Sequence, residues 1–210
     1  MITRADVAAL ERCLAGGGVA LLPTDTLYGL ACDPDSPVGV ARLYEIKGRV
    51  KQKPAAVMFA TLAVALEALP ELDEAVRGAV RALLPGPVTL LVPNPRRRFP
   101  LACPRDPELL GVRVPAWPPP LAALGALARP VLQSSANPAG GEDPRRLEEV
   151  PAAIRAGVHV ALDGGELPGV ASTVIDLRAY GDSGRWQVVR RGALEHAAVA
   201  RALAGPTEPS

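Results

Sequence analysis

Hydrophobic and polar positions along this chain switch repeatedly between helical and strand-like spacing. Val7, Leu10 and Leu14 fall on one helical face, behind a capping threonine at Thr3 and ahead of Gly16-Gly17-Gly18, which predicts an amphipathic opening helix. The apolar run 19–22, closed by Pro23, predicts a strand buried on both faces that delivers a loop at its carboxyl end. Ser36-Pro37 pairs a cap with proline at the first helical position, so a helix is predicted to about residue 46, with Lys47 and Arg49 at its end. Residues 55–59 read as a strand, Thr61 and Asp73 as caps of two helices, and 88–92 as a strand approached through Pro85-Gly86-Pro87.

The stretch 93–107, rich in proline and containing Arg96-Arg97-Arg98, reads as a surface loop. Alternation then resumes, with strands at 110–114, 130–133 and 158–162 and a helix at 120–128. A strand pair at 173–177 and 186–189 and a helix at 194–203 complete it. The expected fold is α/β, with flanking helices packed against a mixed sheet.

Composition narrows the function without naming it. The 210 residues, 49% hydrophobic, suit one globular domain, expected over residues 1–204 with 205–210 as a flexible tail. Lysine plus arginine number 23 against 22 acidic residues, so a net charge of +1 supplies no bulk attraction for polyanions, and any phosphate or RNA contact must come from a local cluster. Cys13, Cys32 and Cys103 are odd in number and far apart, which fits neither a disulfide framework nor a zinc site and suggests a reducing compartment. With no secretory signal and no apolar run of membrane-spanning length, a cytoplasmic location is expected.

Four polar islands adjoin the apolar strands. Pro23-Thr24-Asp25-Thr26-Leu27-Tyr28-Gly29-Leu30 gathers hydroxyls and a phenol beside a glycine that permits close approach; its plainer reading is a turn closed by Asp25. Lys47-Gly48-Arg49-Val50-Lys51-Gln52-Lys53-Pro54 places four cations within seven residues, a set able to hold a triphosphate or merely a solvated basic loop at a helix C-terminus. Gln133-Ser134-Ser135-Ala136-Asn137 supplies small donors and acceptors, and no nucleophile elbow surrounds its serines. The last island joins Ser172-Thr173 with Arg190, although Thr173 also suits a strand and Arg190 a surface ion pair. His159 and His196, the only histidines, have no catalytic partner nearby in sequence, which argues against a hydrolase triad.

Taken in order, these islands resemble the YrdC-like family of threonylcarbamoyl-AMP synthases. The matching motifs are Pro23 to Leu30, Lys47/Arg49/Lys53/Pro54, Pro85 to Thr89, Arg113/Pro115, Ser135 to Asn137 and Ser172 to Asp176. The resemblance implies a twisted mixed sheet around a central positively charged cavity, in the short form without an extra C-terminal domain. It implies condensation of L-threonine, bicarbonate and ATP to threonylcarbamoyl-AMP and pyrophosphate, with magnesium carried by ATP and no protein-held metal. The product would pass to partner proteins that modify tRNA beside the anticodon. By the same resemblance Lys47, Arg49 and Lys53 hold the phosphates, with Lys47 and Arg49 catalytic, and Thr89, Asn137 and Arg190 meet the nucleotide. Thr26, Tyr28, Met58, Arg113, Ser135 and Ser172 line the threonine pocket, with Thr24 as the alternative to Thr26.

Ala55, Pro138-Ala139 and Arg191 depart from the family pattern without removing a charged group. Two rivals stay open. One is a paralogue that binds double-stranded RNA or tRNA, for which Arg96 to Arg98 is the candidate face. The other is a carbamoyl-adenylating module of the hydrogenase-maturation kind.

Overall fold

The computed structural model describes residues 1–48, 54–138 and 140–204. Arg49, Lys53 and the tail 205–210 therefore lie outside the described residues. Among those described, nine strands form one mixed sheet: β1 (Ala20–Pro23), β2 (Tyr28–Cys32), β3 (Ala56–Met58), β4 (Val88–Pro93), β5 (Leu109–Arg113), β6 (Val131–Ser135), β7 (Val160–Ala161), β8 (Thr173–Asp176) and β9 (Gln187–Arg190). Their spatial order is β7-β1-β2-β6-β3-β5-β4-β8-β9. The pairs β1–β7, β3–β5 and β4–β8 are parallel and the other five antiparallel, so the sheet is mixed, as the alternation implied.

The helices begin where their caps place them. Thr3 opens α1 (Arg4–Ala15) with a reciprocal Asp6 capping box, and Ser36 caps α2 (Pro37–Ile46) through the Gly39 N–H. Thr61 and Asp73 cap α3 (Leu62–Ala68) and α4 (Glu74–Leu83) in the same way. Two short helices, α5 (Ala152–Gly157) and α6 (Tyr180–Ser183), have no cap signal in the sequence, and α7 (His196–Leu203) starts two residues later than expected. The helix expected at 120–128 is a 3-10 helix, Pro119–Ala126. Three prolines at 118–120 remove consecutive N–H donors, and the first available bond, Leu121 N–H to the Pro118 carbonyl, spans three residues.

Two islands belong partly to the sheet. Residues 23–30 form a hairpin, β2 starting at Tyr28 and pairing Tyr28 with Pro23, and the third island begins inside β6. Strand alternation then sorts the side chains. Leu90, Val112, Val57, Leu132 and Leu30 are fully buried in the core, while Leu91, Gly111, Ala56, Gln133 and Gly29 occupy the opposite face. Three of those opposite residues are glycine or alanine. A Cβ on Gly111 would lie 3.4 Å from the Ala56 Cα, and one on Gly29 would lie 2.3 Å from Gln133 Nε2. The missing bulk leaves a hollow over the middle of the sheet.

Candidate active site

The hairpin turn between β1 and β2 builds one wall of that hollow. Thr24 Oγ1 accepts the Thr26 and Leu27 N–H groups, each at 3.2 Å, and donates to the Leu27 carbonyl at 2.8 Å, so a threonine closes the turn. Asp25 does something else: Oδ2 accepts the Ala116 N–H at 2.9 Å and Oδ1 meets Arg113 Nη2 at 2.6 Å. The same Nη2 reaches Thr26 Oγ1 at 2.6 Å and Thr24 Oγ1 at 3.2 Å. Arg113 and Asp25 side chains are 3% and 7% exposed, which makes this a buried ion pair. Burial pushes the Arg113 pKa down, the Asp25 charge opposes that and Arg190 adds to it. Arg113 Nε is buried with no acceptor, a donor that folding leaves unsatisfied.

Lys47 follows the last turn of α2 and is 3% exposed, so the plainer reading of a solvated cation does not hold for it. Its ammonium donates to the Ser135 carbonyl and, at 2.7 Å, to the Asn137 carbonyl. Asn137 Oδ1 lies 3.4 Å from Nζ and accepts the Ser135 hydroxyl at 2.6 Å, while Nδ2 donates to the Gly141 carbonyl at 2.6 Å and Asp143 Oδ1 at 3.0 Å. Both sides of the amide are thus fixed, with its oxygen toward Lys47. On the far wall, Thr89 and Ser172 hydroxyls lie 2.9 Å apart, and Arg190 Nη2 donates to the Ser172 carbonyl at 2.7 Å and hydroxyl at 3.1 Å. Arg190 is exposed, but its guanidinium holds Ser172 rather than a carboxylate, and a shift in register between β8 and β9 sets it opposite Val174.

These three groups face one cavity of about 600 Å³, lined by eight of the expected residues, Thr26, Lys47, Thr89, Arg113, Ser135, Asn137, Ser172 and Arg190. Thr26 lines it and Thr24 does not. Tyr28 and Met58 do not line it either. Tyr28 alternates with Gly29 and so points to the other face of the sheet, fully buried. Met58 falls on the cavity face of β3, opposite Arg113 in register, but is fully buried. Asp143, unmarked in the sequence, and Gln133, which stood in the third island without a role, also line the cavity. A glutamine two residues before Ser135 on the same face was the available signal for Gln133. Asp143 carried none, because its contact with Asn137 closes a loop.

A shallower hollow lies beside Pro70, Glu71, Arg96 and Arg98. Arg98 pairs with Glu71 and Arg97 with Glu108, both at 2.8 Å, so two of the three loop arginines already face carboxylates. Among the described residues, no cluster of three or more His, Cys, Asp or Glu side chains could hold a metal ion, and no helix is long and apolar enough to cross a membrane.

Fold and site together define an α/β protein with a hollow on one face of a mixed sheet, into which cationic and hydroxyl side chains converge. The chain belongs to the Sua5/YciO/YrdC family, described as telomere recombination, which residues 12–192 match. A threonylcarbamoyl-AMP synthase of Xanthomonas campestris pv. campestris is 36% identical over 171 residues, 79% of this chain and 89% of that protein. P. abyssi Sua5 complexed with L-threonine superimposes with a TM-score of 0.80 at 26% identity, over 96% of this chain and 58% of that one. This chain thus spans less than two thirds of the P. abyssi protein. E. coli YciO shares the fold over 95% of both chains, with a TM-score of 0.79 at 24% identity.

Proposed function

We propose that the chain is an L-threonylcarbamoyladenylate synthase, a nucleotidyltransferase acting on L-threonine, bicarbonate and ATP. The observation that carries this reading is the convergence of Lys47, Arg113 and Arg190 on one hollow whose described lining holds a single carboxylate, Asp143, with Asp25 paired to Arg113 behind it. In a chain of net charge +1, that local excess suits an anionic substrate. The name of the X. campestris relative and the L-threonine bound to the P. abyssi protein support the choice of substrate.

Bicarbonate and the threonine amine combine with loss of water to a carbamate. A carbamate oxygen then attacks the α-phosphorus of ATP, the bond to the bridging oxygen breaks and pyrophosphate leaves. Two anions must approach, so the barrier is largely electrostatic, and fixed cations lower it without a covalent intermediate. Lys47, with Arg49 and Lys53, holds the phosphates, while Thr89, Asn137 and Arg190 hold the nucleotide. Thr26, Ser135 and Ser172 bind threonine. The unsatisfied Arg113 N–H offers a donor to a carboxylate or phosphate oxygen. Magnesium carried by ATP would add to that screening of the phosphates. The product passes to tRNA-modification partners in the cytoplasm.

Incubation with ATP, bicarbonate and each amino acid in turn, with mass detection of the adenylate, tests the proposal. A threonine-dependent adenylate is expected. Its absence, with RNA affinity that falls steeply with salt and no ATP consumption, favours the RNA-binding reading instead.

A further inference from the structure

Residues 163–172 form neither helix nor strand, yet they deliver Ser172 to the cavity. Such a segment must find partners for its backbone groups outside a ladder. The buried hydroxyl of Tyr28 supplies them at its start. Gly164 N–H donates to Tyr28 Oη at 3.0 Å, and the hydroxyl proton faces the Gly165 carbonyl at 2.8 Å and Asp163 Oδ1 at 3.1 Å. Asp163 Oδ1 also accepts the Gly165 N–H at 2.9 Å, which closes the turn around the phenol. The segment lies flush on the hairpin there: a Cβ on Gly164 would fall 2.6 Å from Leu121 Cδ2 and 2.7 Å from Pro23 Cβ.

Farther along, Leu167 is buried and its N–H donates to the Arg145 carbonyl at 2.8 Å. Gly169, at φ +80°, donates its N–H to the Thr26 carbonyl at 3.0 Å. Three residues later comes Ser172, bonded to Thr89 and Arg190. One segment therefore joins the phenol to the backbone of Thr26 and to the hydroxyl of Ser172.

The geometry points to Tyr28 as a positioning residue: from the far face of the sheet, its hydroxyl pins residues 163–165 and thereby sets Thr26 and Ser172 for the amino-acid substrate. This rests on the reading of those two hydroxyls as threonine contacts. Through Ser172 the segment also meets Thr89 and Arg190, which the same reading places on the nucleotide. Two threonine contacts, Thr26 and Ser172, hang directly on the segment, so the larger effect falls on threonine. Burial, opposed by the Gly164 N–H and reinforced by Asp163, pushes the phenol pKa up to about 12, so the hydroxyl keeps its proton across the working range.

The test compares wild type with Tyr28→Phe, which keeps the buried ring, and with Asp163→Ala, which loosens the same turn from its exposed side. Hydrogen exchange of amides 164–169 reports the clamp independently of activity, and KM for threonine and for ATP report its consequence. Faster exchange with a threonine KM raised about fivefold in Tyr28→Phe, the size of one lost hydrogen bond, and a smaller rise in the ATP KM is expected. Asp163→Ala follows in the same direction with a smaller change. Unaltered exchange, or an ATP KM rising as much as the threonine KM, overturns the positioning role. Faster exchange with no change in threonine KM overturns it too, while showing that the clamp exists. Wild-type protein that neither binds nor consumes threonine sinks the functional reading itself, and the positioning role with it.

Discussion

At the scale of single residues, the buried Arg113–Asp25 pair is the most exacting feature. Removing one partner strands the other charge where water cannot reach it. Asp25→Ala is therefore expected to lower stability by roughly 3–5 kcal/mol, read from urea unfolding; an unchanged midpoint would show that the guanidinium finds other compensation. Asp176 offers a contrast whose sign can be worked out. Burial alone would push its carboxyl up, but Arg178, meeting Oδ2 at 2.6 Å and 2.9 Å, holds it below the ordinary carboxylate value. A depressed folded pKa contributes stability that is complete above the unfolded value, about 3.9, and is lost as pH falls through the folded value. Because Arg178 is half exposed, Arg178→Ala should cost only about 1 kcal/mol at pH 7. That gap should close as pH falls below about 4. A gap still open in acid would assign the loss to something other than Asp176.

At the scale of elements, two glycines in recognisable motifs have different reasons for being glycine. On Gly192 a Cβ would meet backbone, 2.3 Å from the Ala171 carbonyl oxygen and 2.5 Å from Ser172 C. On Gly29 it would meet the end of the Gln133 side chain, which can turn aside. Gly192→Ala should therefore cost about 3 kcal/mol, toward the upper end of overpacking, and Gly29→Ala clearly less. Thermal unfolding of both variants checks the order, and equal losses would contradict it. Helix starts and most strands were legible because caps, prolines and apolar periods are local. Tyr28 was not: its strand begins within an island that reads as loop, and alternation turns the phenol away from the cavity. The register shift beside Arg190 left no mark in the sequence either.

At the scale of the molecule, the cavity assembles from segments far apart in the chain. Lys47 shows what this does to a prediction. Read on a loop, it invites the view that Lys47→Ala would leave the fold untouched. Buried against the Ser135 and Asn137 carbonyls, it holds β6 and the following turn as well. Lys47→Ala should abolish threonine-dependent pyrophosphate release and also lower the unfolding temperature; wild-type turnover would remove Lys47 from the phosphate site. Thr26→Val should weaken threonine binding in calorimetry with ATP binding kept, and equal loss of both ligands would contradict the division of the cavity.

The sequence by itself determined the longer elements and their order, the α/β class and the identity of the polar islands, since each depends on neighbours within a few residues, but not β2, α5 or α6. Tertiary structure alone decided which islands meet, which carboxylate Arg113 faces and that Lys47 is buried. Those outcomes depend on the β2-β6-β3-β5-β4-β8-β9 strand order and on side-chain parity, and contacts spanning about ninety residues, such as Lys47 with Asn137, have no local signature. The hollow itself lies where Ala56 and Gly111 pair side by side on one face, an absence of long side chains that only the assembled sheet turns into a cavity.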